Sequence, residues 1–312
     1  MPEKSKSRNG VQSGKAAKSV HPSVQSLMAE ALPGDSAEDV IRRKCREMVA
    51  RAKALGWEGP PYDPRILASL HRIKVVETNE DFGSEGRIFA TRSEVRIEYR
   101  AGILPERQRF TIFHELAHTC FPDAYEFVRN RLNSPDDDEA YNEFERLCDK
   151  GAGELLIPEV DLVSDLAESI ICMGNFHRLS KRYEASIDAT LRRILDKTEH
   201  PCAAVFLTDA GFDDFEGVKG RLRVQYMWRS RAFKGYIPKG ELLPKGTRCA
   251  RQDLDLPGQF LPIKETWWVK NRPFSYYVEP LRLPQIAANP NYPKCVALIH
   301  SRIPKQAGTN SN

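Results

Sequence analysis

The hydrophobic and polar positions in the first part of the chain repeat mainly at helical spacing. Apolar residues three and four apart predict a helix between Ser36 and Gly56, with this buried stripe: Ile41, Cys45, Met48, Ala52 and Leu55. A short second helix opens at Asp63-Pro64, with these residues directed inward: Ile66, Leu67 and Leu70. Residues 74–78 predict a strand, and alternation in 87–91 and 95–99 predicts a hairpin. Helices and a small sheet therefore precede the segment with candidate chemistry.

That segment is residues 114–118, His-Glu-Leu-Ala-His, in which two histidines lie four residues apart. On a helix this spacing directs both side chains from one face, so both imidazoles can bind one Zn²⁺ ion at about 2.0–2.1 Å. Glu115 is adjacent to the first ligand and is the general base of such a motif. Apolar neighbours such as Phe110 indicate a mostly buried helix, in which imidazoles need partners. The residues therefore predict a zinc site with His114 and His118 as ligands.

A catalytic zinc ion needs a third protein ligand, and many carboxylates follow the histidines. The acidic run at 136–139 is expected to be a solvated loop or a helix start. A new helix is predicted by this apolar stripe: Tyr141, Phe144, Cys148, Ala152 and Leu155. Glu145 lies beside the stripe, whereas Glu143 and Glu154 lie further round the helix. Periodicity alone favours Glu145 and leaves the other carboxylates open.

Helical spacing continues to about residue 194. One helix is predicted by Val160, Val163, Leu166 and Ile170. Residues 177–194 then predict a helix, a turn and a second helix. Four basic residues of this segment could contact phosphate: Lys181, Arg182, Arg192 and Arg193. We favour a packing element with solvated charges, because such segments often only extend a core.

Beyond Pro201 the pattern changes to short alternating runs. Five segments separated by Gly, Pro and polar loops predict strands: 203–207, 221–228, 266–269, 274–278 and 295–300. In the second of these, four residues are predicted to share one face: Leu222, Val224, Tyr226 and Trp228. The pattern indicates a second, strand-rich domain.

Composition narrows the class of protein and divides the chain by charge. The 312 residues suggest about two domains, and no stretch approaches the roughly 20 apolar residues of a membrane helix. The start lacks the apolar segment of a secretory signal, and seven scattered cysteines without a CxxC pair predict reduced thiols in a cytoplasm. The net charge of +4 combines +4 over residues 1–20, −8 over residues 21–200 and +8 over residues 201–312.

The basic C-terminal part also contains 14 of the 28 aromatic residues, including Trp228, Trp267 and Trp268. Basic residues interleaved with aromatics suit single-stranded nucleic acid, through phosphate pairing and base stacking. A core of aromatics beneath a solvated basic face explains the same composition equally well. Both interpretations stay open at this point.

The residues around the histidines resemble the ImmA/IrrE family of bacterial zinc metallopeptidases. The resemblance lies in Arg109-Phe110-Thr111 before the histidine motif and in residues 145–158, which match the family's second signature position by position. It implies Zn²⁺ as cofactor and Glu145 as the third ligand. The departures from that signature are Cys148 for Ala, Asp149 for Asn, Gly151 for Phe and Ile157 for Met. None removes a ligand, and Asp149 could act as a partner for a ligating histidine.

The resemblance implies an α+β fold. It comprises a zincin-like helical metallopeptidase core with a small β-sheet, a helix-turn-helix-like helical segment and a strand-rich C-terminal α/β domain similar to a GAF-type sensor. The composition and the resemblance together predict four segments. These are a disordered basic tail over 1–34, the zinc metallopeptidase domain over 35–160, the helix-turn-helix-like segment over 161–200 and the sensor-like domain over 201–312.

The implied function is cleavage of a helix-turn-helix transcriptional repressor by a zinc-dependent endopeptidase after DNA damage or phage attack. Single-stranded DNA is the expected activator at the C-terminal domain. One alternative is a DNA-binding transcription regulator that keeps zinc structurally and cleaves nothing, and another is a defence component that acts by binding alone. Glu115 favours the peptidase, because a structural zinc site has no need of a general base.

Cys120 lies two residues past His118 and has two interpretations. It is either a small buried thiol or a thiolate that takes the open zinc position and keeps the enzyme latent.

Overall fold

The computed structural model describes residues 20–90, 94–124, 138–167, 169–210, 221–250, 262–283 and 293–303. The helices are α1 Pro22–Met28, α2 Ala37–Ala54, α3 Pro64–Leu70, α4 Pro105–His118, α5 Asp138–Leu156, α6 Glu159–Ala167, α7 Met173–Arg182 and α8 Ile187–Lys197. The strands are β1 Ile73–Thr78, β2 Gly86–Ala90, β3 Val95–Arg100, β4 Cys202–Asp209, β5 Leu222–Arg229, β6 Ile263–Val269, β7 Arg272–Arg282 and β8 Cys295–His300. The mixed helices and two sheets confirm the predicted α+β class.

The predicted disordered tail over 1–34 is wrong for its last part. Residues 1–19 lie outside the described residues, but α1 forms at 22–28 and buries Val24 and Leu27 in the main core. His21 precedes this helix and stacks on Phe144 at a centroid distance of 4.5 Å. The helix is too short to show a periodic signal within a polar sequence, and its order comes from these long-range contacts.

Helix α2 begins and ends at the predicted signals. Ser36 and Asp39 form a reciprocal capping box at its start. Just past its end, Gly56 has φ +88°, a conformation that glycine adopts without strain.

Several apolar side chains that were predicted to be buried are exposed in the structure. Leu55 caps the end of α2 and is 70% exposed, and the following predicted core positions are also exposed: Ile66, Leu70, Tyr141, Val160 and Val163. The short helix α3 instead buries Leu67 and Ala68, and α6 buries Leu162. These short helices carry apolar residues on more than one side, so neighbouring elements decide which side is covered.

The small sheet has the strand order β1-β3-β2. Strand β3 pairs parallel with β1 and antiparallel with β2, as the predicted hairpin requires, and turn positions 91–93 lie outside the described residues. Strand β2 therefore forms one edge of this sheet, and α4 packs against β2 and β3. On another side, α4 packs against α5. Of the acidic run at 136–139, positions 136 and 137 lie outside the described residues, and α5 begins at Asp138.

The five C-terminal strands form one antiparallel sheet in the order β5-β4-β8-β7-β6. One face of this sheet joins the main core, for example through Phe206 and Leu298, whereas the other face forms a second cluster around Trp267. The predicted boundaries at residues 160 and 200 therefore do not separate independent cores. Among the described residues past 201, the only helical turn is the 3₁₀ segment Arg248–Ala250. The likeness to a GAF-type sensor stays a prediction.

The predicted single face of β5 is wrong. Val224 pairs with Leu207, but Tyr226 pairs with Phe206, so Gln225 is an extra residue that forms a bulge. Residues before the bulge lie in the second cluster, whereas Tyr226 and Trp228 pack against the main core. An extra residue reverses the facing of every residue beyond it, and sequence alternation does not reveal this.

Helices α7 and α8 pack as the favoured interpretation of the helix-turn-helix segment requires. Arg193 is buried and donates hydrogen bonds to the Ile157 carbonyl at 2.9 and 3.2 Å, with Glu154 3.1 Å away. Arg192 lies over the Trp228 ring at 4.2 Å. These two arginines therefore serve packing. Within the described ranges, no helix is both long and apolar enough to span a bilayer.

Candidate metal centre

Helix α4 provides the two histidines because its sequence satisfies the requirements of a partly buried helix. Pro105 occupies the first turn, where its missing N–H costs nothing, and Glu106 lies near the positive end of the helix. Four apolar side chains are fully buried: Ile112, Phe113, Leu116 and Ala117. His114 and His118 lie four residues apart, and their ring centroids are 5.0 Å apart. The helix thus presents two neighbouring imidazoles, as predicted.

Helix α5 brings Glu145 to these imidazoles. The Oε2 atom of Glu145 lies 3.0 Å from Nε2 of His114 and 3.9 Å from Nε2 of His118. Ligand atoms of His114, Glu115 and His118 also lie within 4.8 Å of one another. Two imidazole nitrogens and two carboxylates therefore converge, and Glu145 rather than Glu143 or Glu154 is the α5 carboxylate that meets both rings. Glu154 is fully buried and pairs with Arg193 instead.

The second nitrogen of each ring also has a partner on α5. Nδ1 of His114 lies 3.0 Å from Oδ1 of Asp149, and Nδ1 of His118 lies 3.3 Å from Sγ of Cys148. A ring whose Nδ1 proton is held in this way keeps a lone pair on Nε2 for a metal. Asp149 therefore occupies the partner position that its departure from the family signature suggested.

The negative groups around His114 dominate its electrostatics. Burial favours the neutral ring, but hydrogen bonds to Asp149 and Glu145 and the charge of Glu115 outweigh it and raise the pKa of His114 to about 10. The site therefore attracts positive charge, and a metal ion that binds there must displace a proton from His114 at neutral pH.

The donor set fits a zinc ion. Two imidazoles and a carboxylate are ligands that Zn²⁺ accepts in catalytic sites, and the partners of both Nδ1 atoms match the usual support of zinc-bound histidines. His114, His118 and Glu145 would hold the ion. Glu115 is buried beside them.

The structure places Cys120 in contact with a second cysteine. Its Sγ lies 3.7 Å from Sγ of Cys45 on α2, and both thiols are buried. The contact with Cys120 and burial raise the pKa of the Cys45 thiol. Ligation of zinc by Cys120 would require its sulfur to leave this contact, so the arrangement favours the buried-thiol interpretation over the latency switch.

The contact between Cys148 and His118 was not predicted from the sequence. The sequence placed Cys148 in the buried stripe of α5 and marked it as a departure from the family signature, whereas in the structure its sulfur contacts His118. The available signal was spacing, because Cys148 and Asp149 lie three and four residues after Glu145 and so share its side of the helix.

The described aromatic residues of the C-terminal part divide between core and surface. Trp267 is buried in the second cluster, and Trp228 donates a hydrogen bond to Asp188 at 2.9 Å. Trp268 is 54% exposed. Trp268 is therefore the exposed tryptophan of this part on which a base of single-stranded nucleic acid could stack. This interaction stays a prediction.

Comparison with known proteins gives three findings. Residues 73–195 match the family model described as the IrrE N-terminal-like domain, and this range contains every residue of the metal centre. The radiation response metalloprotease IrrE of Deinococcus deserti is 27% identical over 181 residues, which cover 56% of this chain and 60% of that relative. A transcriptional regulator of Mycobacterium tuberculosis has a similar chain path with a TM-score of 0.46 and 12% identity, covering 83% of this chain and 74% of that one.

Proposed function

We propose that the chain is a zinc-dependent endopeptidase, because residues 73–195 match the family model of the IrrE N-terminal-like domain. One observation carries the proposal. Both histidine Nε2 atoms of α4 face the same Glu145 oxygen, while Glu115 lies buried beside them. Three ligands and a neighbouring carboxylate are the parts that peptide hydrolysis at a metal requires.

The roles of the residues follow from their positions. His114, His118 and Glu145 would hold a Zn²⁺ ion, which would supply Lewis acidity to a water molecule and a peptide carbonyl. Glu115 accepts a proton from the attacking water and delivers it to the leaving amine. Asp149 and Cys148 hold the two rings in the orientation that keeps Nε2 available.

The edge strand β2 of the small sheet could bind an extended segment of a protein substrate. In the described part of the chain, β2 has a strand neighbour on one side only, and its first residue lies against α4 beside Glu115. An extended peptide can pair with such an edge through main-chain hydrogen bonds. This binding mode suits an endopeptidase, because it uses backbone groups on both sides of a scissile bond.

A helix-turn-helix transcriptional repressor is the substrate that the family resemblance suggests, in a response to DNA damage or phage attack. Single-stranded DNA at the basic C-terminal part is the proposed activator. The test incubates the purified chain with zinc and a repressor encoded by a neighbouring gene, with and without single-stranded DNA. Mass spectrometry of the products should show one discrete cut.

Glu115→Gln separates the peptidase from a structural zinc site. If Glu115 is a general base, the variant keeps one equivalent of zinc with near-normal affinity and makes no cut. If Glu115 is a fourth ligand of a structural site, the zinc affinity of the variant falls instead, by about 100-fold or more. Glu106→Gln, in the first turn of the same helix, is the matched control and should cleave normally. Full cleavage by Glu115→Gln would refute the assignment.

A further inference from the structure

Gly86 begins the edge strand β2 and lies directly against α4. A methyl group at position 86 would come closer than 3.0 Å to Cγ2 of Thr111, a separation that real Cβ atoms essentially never show. The same methyl group would lie 3.4 Å from Cγ and 3.5 Å from Oε1 of Glu115. Side-chain atoms of α4 therefore occupy the space that a side chain at position 86 would need.

This requirement is steric and not conformational. Gly83 and Gly102, before and after the hairpin, have φ of +76° and +78° with open space around them. They are suited to turns that L-residues rarely adopt. Gly86 lies outside the left-handed region and within a regular strand, paired with Tyr99. Alanine fits its backbone conformation, so only the approach of α4 excludes it.

Helix α4 has little freedom to retreat from such a side chain. On its α5 side, a methyl group at Gly151 would lie 2.9 Å from Cβ of Ala117, so the two helices are also in close contact. Thr111 and Glu115 lie one turn apart on α4 and are both buried. A displacement of Thr111 away from β2 is therefore passed to Glu115.

We infer that Gly86 is a positioning residue for Glu115: its missing side chain sets the spacing between β2 and α4, and this spacing places the Glu115 carboxylate. The inference deepens the proposed function, since it concerns the residue to which that function assigns the role of base. It adds a determinant on a different element, 29 positions before Glu115 along the chain.

The test introduces Gly86→Ala into the full zinc-loaded chain. The first measurement is the carboxyl resonance of Glu115 in protein labelled with ¹³C at glutamate Cδ, recorded at one fixed pH. The resonance is assigned by its loss in Glu115→Gln. The second measurement separates kcat from KM for cleavage of the repressor. We expect a displaced resonance and a kcat at least about tenfold lower, with KM within about twofold, because small misplacements of a reacting group are costly.

Thr111→Ser provides the rescue, because it deletes the methyl group that causes the clash. In Gly86→Ala/Thr111→Ser, the resonance and kcat should return towards the original values, and Thr111→Ser alone should change neither. Gly235→Ala is the matched control: its methyl group would lie 2.7 Å from Cε1 of Phe233, in the C-terminal part of the chain. It should lower stability and leave the Glu115 resonance in place.

A folded Gly86→Ala protein with an unchanged Glu115 resonance overturns the inference. If Gly86→Ala is too unstable for spectra, thermal unfolding decides: the Thr111→Ser background must recover most of the lost Tm, and failure to do so also overturns it. The resonance does not depend on cleavage. A chain that cuts no repressor but shows the displacement and its rescue would refute the proposed function and leave this inference standing.

Discussion

Asp149→Asn tests how strongly the carboxylates of α5 control proton and metal binding at His114. Oδ1 of Asp149 lies 3.0 Å from Nδ1 of His114, and Nε2 of the same ring faces Glu145. Asparagine keeps the shape and an acceptor oxygen but removes the charge. The substitution therefore isolates the electrostatic part of the contact.

The magnitude follows from the pKa of His114. Its rise from 6.5 to about 10 corresponds to roughly 5 kcal/mol of preference for the protonated ring. Three carboxylates raise this pKa, and the largest of their contributions comes from Asp149, with Glu145 and Glu115 supplying the others. A third of the total, reduced because Asp149 is more than a third exposed, is about 1–1.5 kcal/mol. Asp149→Asn is thus expected to lower the pKa of His114 by about one unit.

The sign of the pH dependence is that of a raised histidine pKa. Below about pH 10 the metal-free ring of His114 carries a second proton, which zinc must displace, so the zinc affinity falls as the pH falls. At pH 7 both proteins release this proton fully. At pH 9, with pKa values of about 10 and about 9, the variant should release about 0.4 fewer protons per zinc ion.

Isothermal titration calorimetry in two buffers of different protonation enthalpy measures this proton count. Glu143→Gln, which removes an exposed charge from the same helix, is the matched control and should leave the count unchanged. Equal proton release at pH 9 by the original chain and Asp149→Asn, with both proteins folded, would show that Asp149 does not raise the pKa of His114. The intrinsic zinc affinity should also fall by about 10–100-fold in Asp149→Asn, as for other partners of ligating histidines.

Two further substitutions test the buried polar contacts. Arg193→Met leaves the fully buried Glu154 without its closest cation and should lower the free energy of unfolding in urea by about 3–5 kcal/mol. The double variant Arg193→Met/Glu154→Met should recover at least half of this loss, and a loss below about 1 kcal/mol in Arg193→Met would contradict the prediction. Cys148→Ala removes the sulfur that lies 3.3 Å from Nδ1 of His118 and should weaken zinc binding, measured by competition with a chelator, by about tenfold. Cys148→Ser should retain most of the zinc affinity. An unchanged zinc affinity in Cys148→Ala would exclude a role of Cys148 in orienting His118.

Local signals predicted most of the elements because each signal acts over a few residues. The capping box at Ser36, the proline at Pro105 and the change to strand alternation after Pro201 all mark elements that the structure contains. Helix α1 escaped prediction, since its seven residues owe their order to contacts such as that of His21 with Phe144. Short segments carry too little local information to outweigh tertiary contacts.

The direction of side chains was less predictable than the elements themselves. Val160 is exposed while Leu162 is buried, because the surface that covers α6 is contributed by other parts of the chain. In β5, one bulge residue, Gln225, reverses the facing of Tyr226 and Trp228. A register shift of one residue depends on the partner strand, which the alternating sequence does not encode by itself.

Local sequence was sufficient to predict the two histidines of α4, the face that they share and the carboxylate next to them. Spacing of four residues between His114 and His118, with Glu115 between them, follows from the helix alone. Which carboxylate and which thiol meet these rings, and how closely β2 approaches α4 at Gly86, became evident from the folded chain. The physical reason is that ligand distances depend on the packing of α4 against α5 and β2, elements that are far apart in the chain, and packing is set by the shapes of many side chains together.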